Sequence, residues 1–268
     1  MSLNNNILRM IRISEIRKET DSFKTLLFNE SLVSQPGQFI MLSIPGVDEK
    51  PFSISYQDSN TFGITISAIG PFSNTLHTKK KGDLLGVKGP FGNPFNIEGN
   101  KILLIAGGYG IAPLRFLAEK AIKHNKYVSM LYGAKSSSDL AFSKELEKIC
   151  NNISYSTIDG SKGFKGYITE LMENELKNNN YDCIYSCGPE LMLKKVFEIA
   201  EKKSIPCQIS LERYMKCGFG VCGQCTVDPT GWRTCKEGPV FSSEKLRMIK
   251  EFGEYKRKSS GRKIRFEA

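Results

Sequence analysis

Residues 102–113 read I-L-L-I-A-G-G-Y-G-I-A-P. Residues 102–106 form an unbroken apolar run, the pattern of a strand buried on both faces of a parallel sheet. The run ends in Gly107, Gly108 and Gly110, with Ile111 and Ala112 leading to Pro113, which suits the first turn of a helix. Glycines directly after a parallel strand allow a tight turn and close approach of the backbone, and the helix start beyond them attracts phosphate. The run is not the G-x-G-x-x-G fingerprint, so taken alone it reads equally as a nucleotide loop or as a plain chain reversal.

The stretch decides the fold class because the same alternation continues downstream. The pattern predicts helix over 113–123, strand 127–132, helix 138–149, strand 153–158, helix 167–177, strand 182–187, helix 189–203 and strand 207–211. Strands alternating with helices predict a parallel sheet covered on both faces. The strand over 182–187 ends in Cys187-Gly188-Pro189, again just before a helix. Both loops would leave the carboxyl edge of the sheet, where one dinucleotide can lie between them. By itself Cys187 reads as a small buried residue; its place at that edge makes it a site candidate.

Upstream the period changes. Short apolar runs over 7–16, 22–28, 38–43, 52–56, 61–68 and 84–88 are punctuated by Gln35-Pro36-Gly37, Pro45-Gly46 and Gly82-Asp83. About six short strands at such spacing predict a small antiparallel barrel. Within it, Lys50-Pro51-Phe52-Ser53 offers a cation, a rigid ring, an aromatic face and a hydroxyl in succession, although an ordinary strand start has the same look. Gly70-Pro71-Phe72-Ser73-Asn74-Thr75 reads as a helix start able to cradle a pyrophosphate.

Downstream of the alternation, Cys217, Cys222, Cys225 and Cys235 are spaced C-x4-C-x2-C with nine residues before the fourth. This is the spacing by which plant-type ferredoxins hold a [2Fe–2S] cluster. Soft thiolates suit iron, and Gly218, Gly220 and Gly223 allow the chain to bend around a cluster and aim amides at its sulfurs. A structural zinc site would more usually show two separated C-x2-C knuckles, and only one occurs here. Disulfides would need an oxidising compartment, and the Met-Ser-Leu-Asn-Asn-Asn start lacks the pattern of a signal peptide.

A chain of 268 residues has room for about two domains, and 40% hydrophobic with 25% charged residues is ordinary for a folded protein. No apolar run reaches the roughly 18 residues of a membrane span, so the expected location is cytoplasmic, with no membrane partner. The net charge of +10 is concentrated in Lys79-Lys80-Lys81 and between Lys245 and Arg265, with no nucleic-acid-binding motif around either. A solvated surface or an acidic protein partner is expected there rather than nucleic acid. The polar end over 259–264 is expected to be mobile. Two histidines, His77 and His124, lie in different segments, which argues against a histidine metal site or a Ser–His–Asp hydrolase.

In chain order, K-P-F-S-I-S, G-P-F-S-N-T-L, G-P-F-G-N-P-F, A-G-G-Y-G-I-A-P-L, C-G-P-E and the cysteine segment resemble the ferredoxin-reductase-like flavoproteins over nearly the whole length. Ser210-Leu211-Glu212-Arg213-Tyr214-Met215-Lys216-Cys217, with Lys236-Glu237-Gly238-Pro239-Val240-Phe241, is similar to one branch, the electron-transfer subunits of NAD-dependent dihydroorotate dehydrogenase. The resemblance implies an FAD-binding β-barrel over 1–98, an NAD(P)-binding α/β domain over 99–209, a [2Fe–2S] module over 210–242 and a basic tail over 243–268. It implies FAD contacts from Lys50, Pro51, Phe52, Ser53, Gly70, Ser73, Asn74 and Thr75, and NAD(P) contacts from Gly107, Gly108, Gly110, Ile111, Ala112, Cys187, Gly188 and Pro189. Lys50 stands where many members carry arginine, and lysine gives a point charge without the bidentate fork.

The implied activity is oxidoreductase electron transfer in pyrimidine biosynthesis, between NAD and the flavin of a separate catalytic subunit, in a hetero-oligomer such as a heterotetramer. No catalytic residue beyond the cofactors is identified. The same architecture also serves hydrogenases, sulfur reductases and ferredoxin–NADP oxidoreductases. A zinc-stabilised binding module without catalysis is the alternative from another class.

Overall fold

The computed structural model describes residues 6–266. The first sheet is antiparallel throughout and joins seven strands in the order β1-β7-β4-β5-β6-β3-β2. Its strands are β1 (Arg9–Arg12), β2 (Glu15–Lys18), β3 (Phe23–Phe28), β4 (Phe39–Ile44), β5 (Asp48–Gln57), β6 (Phe62–Ser67) and β7 (Leu84–Phe91). The single strand expected over 7–16 is two, and they occupy opposite edges of the sheet. Between them, Ile13 exchanges hydrogen bonds with Gly82 and Asp83 on one side, while the Ser14 amide donates to Leu27 on the other. These two residues draw the edges together, so the sheet curls around an apolar centre that includes Leu26, Phe28, Ile40, Ile54, Phe62 and Leu85. Helix α1 (Pro71–His77) follows β6.

The second sheet has the order β11-β10-β9-β8-β12-β13-β16 and is parallel except for β16. It comprises β8 (Lys101–Gly107), β9 (Tyr127–Ala134), β10 (Asn152–Thr157), β11 (Phe164–Lys165), β12 (Cys183–Cys187), β13 (Cys207–Ser210) and β16 (Val240–Ser242). Alternate residues of β8 serve opposite layers. Ile102 and Leu104 pack towards α2 (Ile111–Lys123) and α3 (Ser143–Ile149), whereas Leu103 and Ile105 pack towards α4 (Ile168–Asn178) and α5 (Glu190–Lys202). Chain order reverses direction between β8 and β12, which makes the crevice above their carboxyl ends the topological switch point of the sheet.

Two expectations need correction. The helix predicted over 138–149 begins only at Ser143; Ser137–Asp139 is a short 3-10 turn, and Phe142 has φ of 62°. The Ser136 hydroxyl bonds Ser138 and Asp139, and such local side-chain bonding competes with the helix. The stretch 259–264, expected to be mobile, lies in a hairpin of β17 (Tyr255–Arg257) and β18 (Lys263–Arg265), preceded by α6 (Ser243–Met248). Asp228 explains it by accepting bonds from Tyr255, Arg257 and Lys263. Between β13 and β16 the chain makes a compact excursion over residues 211–239 that contains a small hairpin, β14 (Thr226–Val227) and β15 (Trp232–Arg233).

The barrel and the α/β unit are joined through Arg115 on α2. It donates to the Ser55 carbonyl at 2.8 Å, stacks over Tyr56 at 5.2 Å and pairs with Glu119 and Glu145. Among the described residues no helix is long and apolar enough to cross a membrane.

Candidate functional site

Where the barrel, the switch point and the 211–239 excursion meet, they enclose a cavity of about 500 Å³. The barrel supplies Phe39 from β4, Lys50, Pro51, Phe52 and Ser53 from β5, and Gly70 and Ser73 from the start of α1. From the switch point come Tyr109, Ala112 and Cys187, and from the excursion Glu212, Arg213 and Met215. Phe52 is half-buried and stacks on Phe72 with ring centroids 6.0 Å apart. Lys50 pairs with Asp48 at 2.5 Å and lies 4.7 Å from the ring centroid of Tyr214, so its ammonium ties the barrel to the excursion. Ser53 lines the cavity, and its hydroxyl makes no hydrogen bond among the described residues. Ser73 instead accepts from the Ile69 and Gly70 amides at 3.1 and 3.0 Å, closing the first turn of α1. Asn74 and Thr75, on the same helix, are not in the lining, and the Thr75 hydroxyl donates back to the Pro71 carbonyl at 3.0 Å.

The two glycine loops are in contact. A Cβ on Gly110 would lie 2.0 Å from the Cys187 carbonyl oxygen, and one on Gly188, where φ is +154°, would lie 3.0 Å from the Gly107 Cα. Glycine at 107, 110 and 188 therefore lets two backbones close the crevice between β8 and β12. Gly108, with φ of +52°, has open space where a side chain would be. Gly110→Ala is expected to force the loops apart at a cost of about 1–3 kcal/mol. Its thermal midpoint and pyridine-nucleotide affinity should both fall, whereas Gly46→Ala, at a turn with nothing nearby, should leave nucleotide affinity alone.

Gly188 and Pro189 line a second cavity, of about 250 Å³, together with Tyr109, Glu190, Glu212, Lys256 and Phe266. Tyr109 and Glu212 border both cavities, and the Tyr109 hydroxyl donates to Glu212 Oε2 at 3.2 Å. Glu212 is solvent-exposed where the two cavities meet, with protein packed around that opening. That enclosure raises its carboxyl above the ordinary range, partly offset by the Tyr109 hydroxyl and the Lys256 charge. Burial raises the Cys187 thiol as well, so it stays protonated at neutral pH. Tyr109 and Glu212 lie inside two of the quoted family-like segments, yet neither is singled out there as a site residue. Tyr109 sits inside the glycine run and Glu212 five residues before the first of the four cysteines, so membership of those segments is the signal that could have found them.

The four cysteines come in two pairs. Burial pushes the Cys217 thiol up, but the amides of Cys222, Phe219 and Val221 and the Cys222 side chain outweigh it and lower it to about 6. Cys225 is lowered to about 7, chiefly by a hydrogen bond from Cys235, against burial. The Cys235 amide also points at Cys225 Sγ, at 3.4 Å. Cys225 and Cys235 are 2% exposed and face inward, whereas Cys222 is at the surface. Among the described residues no three ligand side chains gather as one metal ion would require. One thiol of each pair, Cys217 and Cys225, is held towards the thiolate by its neighbours, while the hydrogen bond to Cys225 and burial raise the Cys235 thiol. Four thiols in two pairs match the donor set of a two-iron cluster with two ligands per iron. Gly218 is needed at its place, since φ is +83° and a Cβ would lie 2.4 Å from Met41 on β4.

Phe39 and Met215 line the larger cavity and also pack with Cys225 and Cys235 in one apolar cluster. The cavity and the inner thiol pair thus share one patch of apolar packing.

Residues 212–247 match the model of the iron–sulfur cluster binding domain of dihydroorotate dehydrogenase B, and residues 104–198 that of the oxidoreductase NAD-binding domain. The probable dihydroorotate dehydrogenase B (NAD(+)) electron transfer subunit of Methanocaldococcus jannaschii is 46% identical, over 94% of this chain and 96% of that protein. Its counterpart in Methanothermobacter thermautotrophicus is 42% identical, over 97% and 98%. Among solved structures, one of an NADH-dependent reduced ferredoxin–NADP oxidoreductase, described for flavin-based electron bifurcation, superposes with a TM-score of 0.81 at 26% identity, over 94% and 95% of the two chains. A ferredoxin reductase of carbazole 1,9a-dioxygenase shares the fold, with a TM-score of 0.66 at 20% identity over 74% of this chain and 67% of that one. With its fold, its paired cysteines and relatives this similar over almost their full length, the chain belongs to the family of dihydroorotate dehydrogenase B electron-transfer subunits.

Proposed function

We propose that this protein passes electrons between NAD and a separate catalytic subunit that oxidises dihydroorotate in pyrimidine biosynthesis, by way of FAD and a [2Fe–2S] cluster. The observation that carries this reading is the shared packing: Phe39 and Met215 line the larger cavity and belong to the same apolar cluster as the inner cysteine pair. Lys50, Pro51, Phe52, Ser53, Gly70 and Ser73, with Asn74 and Thr75 behind them, are the residues to hold FAD. Ser53 offers its unpaired hydroxyl to the ring, and Phe52 presents an aromatic wall. Gly107, Gly108, Gly110, Ile111, Ala112, Cys187, Gly188 and Pro189 bind NAD(P) by bringing unhindered backbone to it. Cys217, Cys222, Cys225 and Cys235 ligate the cluster, the apolar packing of Phe39, Met41 and Phe91 keeping water from its inner pair.

Bound in this way, FAD supplies the conversion between two-electron hydride chemistry and the single electrons that an iron–sulfur cluster accepts. The protein's own part is to order the three sites and to keep the Cys225 end dry. The exposed Cys222 end is the exit towards the partner, in a cytoplasmic hetero-oligomer.

The test is an absorption spectrum of anaerobically purified protein before and after NADH, with iron and flavin quantified. Flavin and iron–sulfur bands that bleach with NADH, at about two irons and one FAD per chain, are expected. A colourless protein carrying zinc after anaerobic handling would refute the proposal.

A further inference from the structure

Three charged side chains line the smaller cavity, and two of them are occupied. Both carboxylate oxygens of Glu190 accept bonds from Arg213, and its Oε1 also accepts the Gly253 amide. Glu212 accepts the Tyr109 hydroxyl. The third, Lys256, has no hydrogen bond or ion pair among the described residues; its ammonium lies 5.4 Å from the ring centroid of Phe266, another lining residue.

The hairpin that carries Lys256 is held in place from its other side. Tyr255 and Arg257 both donate to Asp228, and Lys263 on the paired strand reaches the same carboxylate at 2.9 Å. Side chains alternate along a strand, so with Tyr255 and Arg257 turned to Asp228, Lys256 is turned to the opposite face and onto the cavity. Asp228 follows β14 in the cysteine segment, so the same anchor that fixes the hairpin also fixes it relative to the proposed cluster.

A pyridine dinucleotide carries a diphosphate with two negative charges. Entering a cavity already lined by two carboxylates, it needs a cation, and Lys256 is the basic residue in that lining. We propose that the β17–β18 hairpin is the outer wall of the pyridine-nucleotide site and that Lys256 recognises the dinucleotide's diphosphate. This rests on the NAD-linked reading above and gives the basic C-terminal segment a role within this chain rather than on a partner. Lys256 acts in binding: it stabilises the bound nucleotide before and during hydride transfer alike, so its loss falls on affinity.

The experiment is anaerobic stopped-flow reduction of the FAD- and cluster-loaded protein by NADH, at low and high salt. Lys256→Gln is expected to raise the half-saturating NADH concentration about tenfold at low salt, the size of one charge-assisted contact at an open site. The effect should fall on half-saturation far more than on the maximal rate. It should also flatten the salt dependence seen in the wild type, since the screened charge is gone. Lys256→Glu should weaken binding further and Lys256→Arg should restore it. FAD content and visible spectrum serve as the check that each variant is folded. If the wild type is reduced by NADH while the Gln and Glu variants titrate like it at both salts, this inference is wrong and the electron-transfer reading stands. A wild type whose flavin NADH cannot reduce overturns both.

Discussion

Cys225→Ser is expected to abolish the iron–sulfur band and the iron content while leaving FAD bound and reducible by NADH. Its place in the inward pair makes this substitution more severe than one at Cys222. Cys225 accepts hydrogen bonds from the Cys235 side chain and amide, is 2% exposed, and packs with Phe39, Met41, Phe91 and Met215. A serine oxygen is harder and shorter-bonded than a thiolate, and no water can enter this packed site to complete the coordination. Cys222 is at the surface, where solvent can stand in for a lost ligand, so Cys222→Ser should retain part of the cluster. The loss in electron exit should be complete for Cys225→Ser: NADH-driven reduction of a one-electron acceptor taken up through the cluster falls to background, while flavin bleaching by NADH persists. Iron analysis, electron paramagnetic resonance after dithionite and the flavin band, read on one sample, separate the two sites. Equal loss of FAD and iron would show that the shared packing of Phe39 and Met215 makes the flavin site depend on the cluster, contrary to this expectation.

Much of this architecture was legible because its signals are local. The apolar run before Gly107, the switch from period two to helix-and-strand alternation near residue 100, and the four-cysteine spacing each lie within about twenty residues. What escaped depends on contacts distant in sequence. Nothing in residues 7–16 says that the chain breaks at Ile13; the break exists because Gly82, Asp83 and Leu27 arrive from both edges of the sheet to bond Ile13 and Ser14. The C-terminal segment looks like solvated positive charge until Asp228, about thirty residues earlier, gives Tyr255, Arg257 and Lys263 a common acceptor. The flavin-side candidates divided for a similar reason. Lys50 to Ser53 all line the cavity from one strand of the barrel, whereas Asn74 and Thr75 lie further along α1, behind the Gly70 and Ser73 that line it. Tyr109 and Glu212 become site residues only through the folding together of two loops about a hundred residues apart.

The same long-range logic gives the largest expected loss of stability, at Arg213. Its guanidinium is 2% exposed and donates to Glu190 at 2.6 and 3.0 Å, to Glu251 at 2.7 Å and to the Glu212 carbonyl at 2.7 Å. Glu190 opens α5 directly after the Gly188-Pro189 loop, and Glu251, fully buried, also accepts the Asp228 amide at 2.9 Å. One arginine therefore joins the loop proposed to hold the nucleotide, the segment leading into Cys217 and the anchor of the C-terminal hairpin. Arg213→Met leaves two carboxylates buried close together without a cation, and breaking such a group costs about 3–5 kcal/mol. The fall should appear in the denaturation midpoint of the holoprotein. Lysine is not an adequate replacement, because a single ammonium cannot serve two carboxylates and a carbonyl along three directions. The attraction among these charges is largely offset by the cost of taking them out of water. Replacing Arg213, Glu190 and Glu251 together by apolar residues of similar volume should therefore recover part of the stability that Arg213→Met loses, the remainder being the cost of the Gly253 and Asp228 amides left without acceptors. The triple variant should nonetheless bind pyridine nucleotide poorly, because Glu190 would no longer hold the Gly253 amide and the Arg213 fork that fix the loop's position. Recovery of stability without recovery of nucleotide affinity is the outcome that assigns the buried triad to positioning. If the triple variant binds NADH as the wild type does, the triad contributes to folding alone.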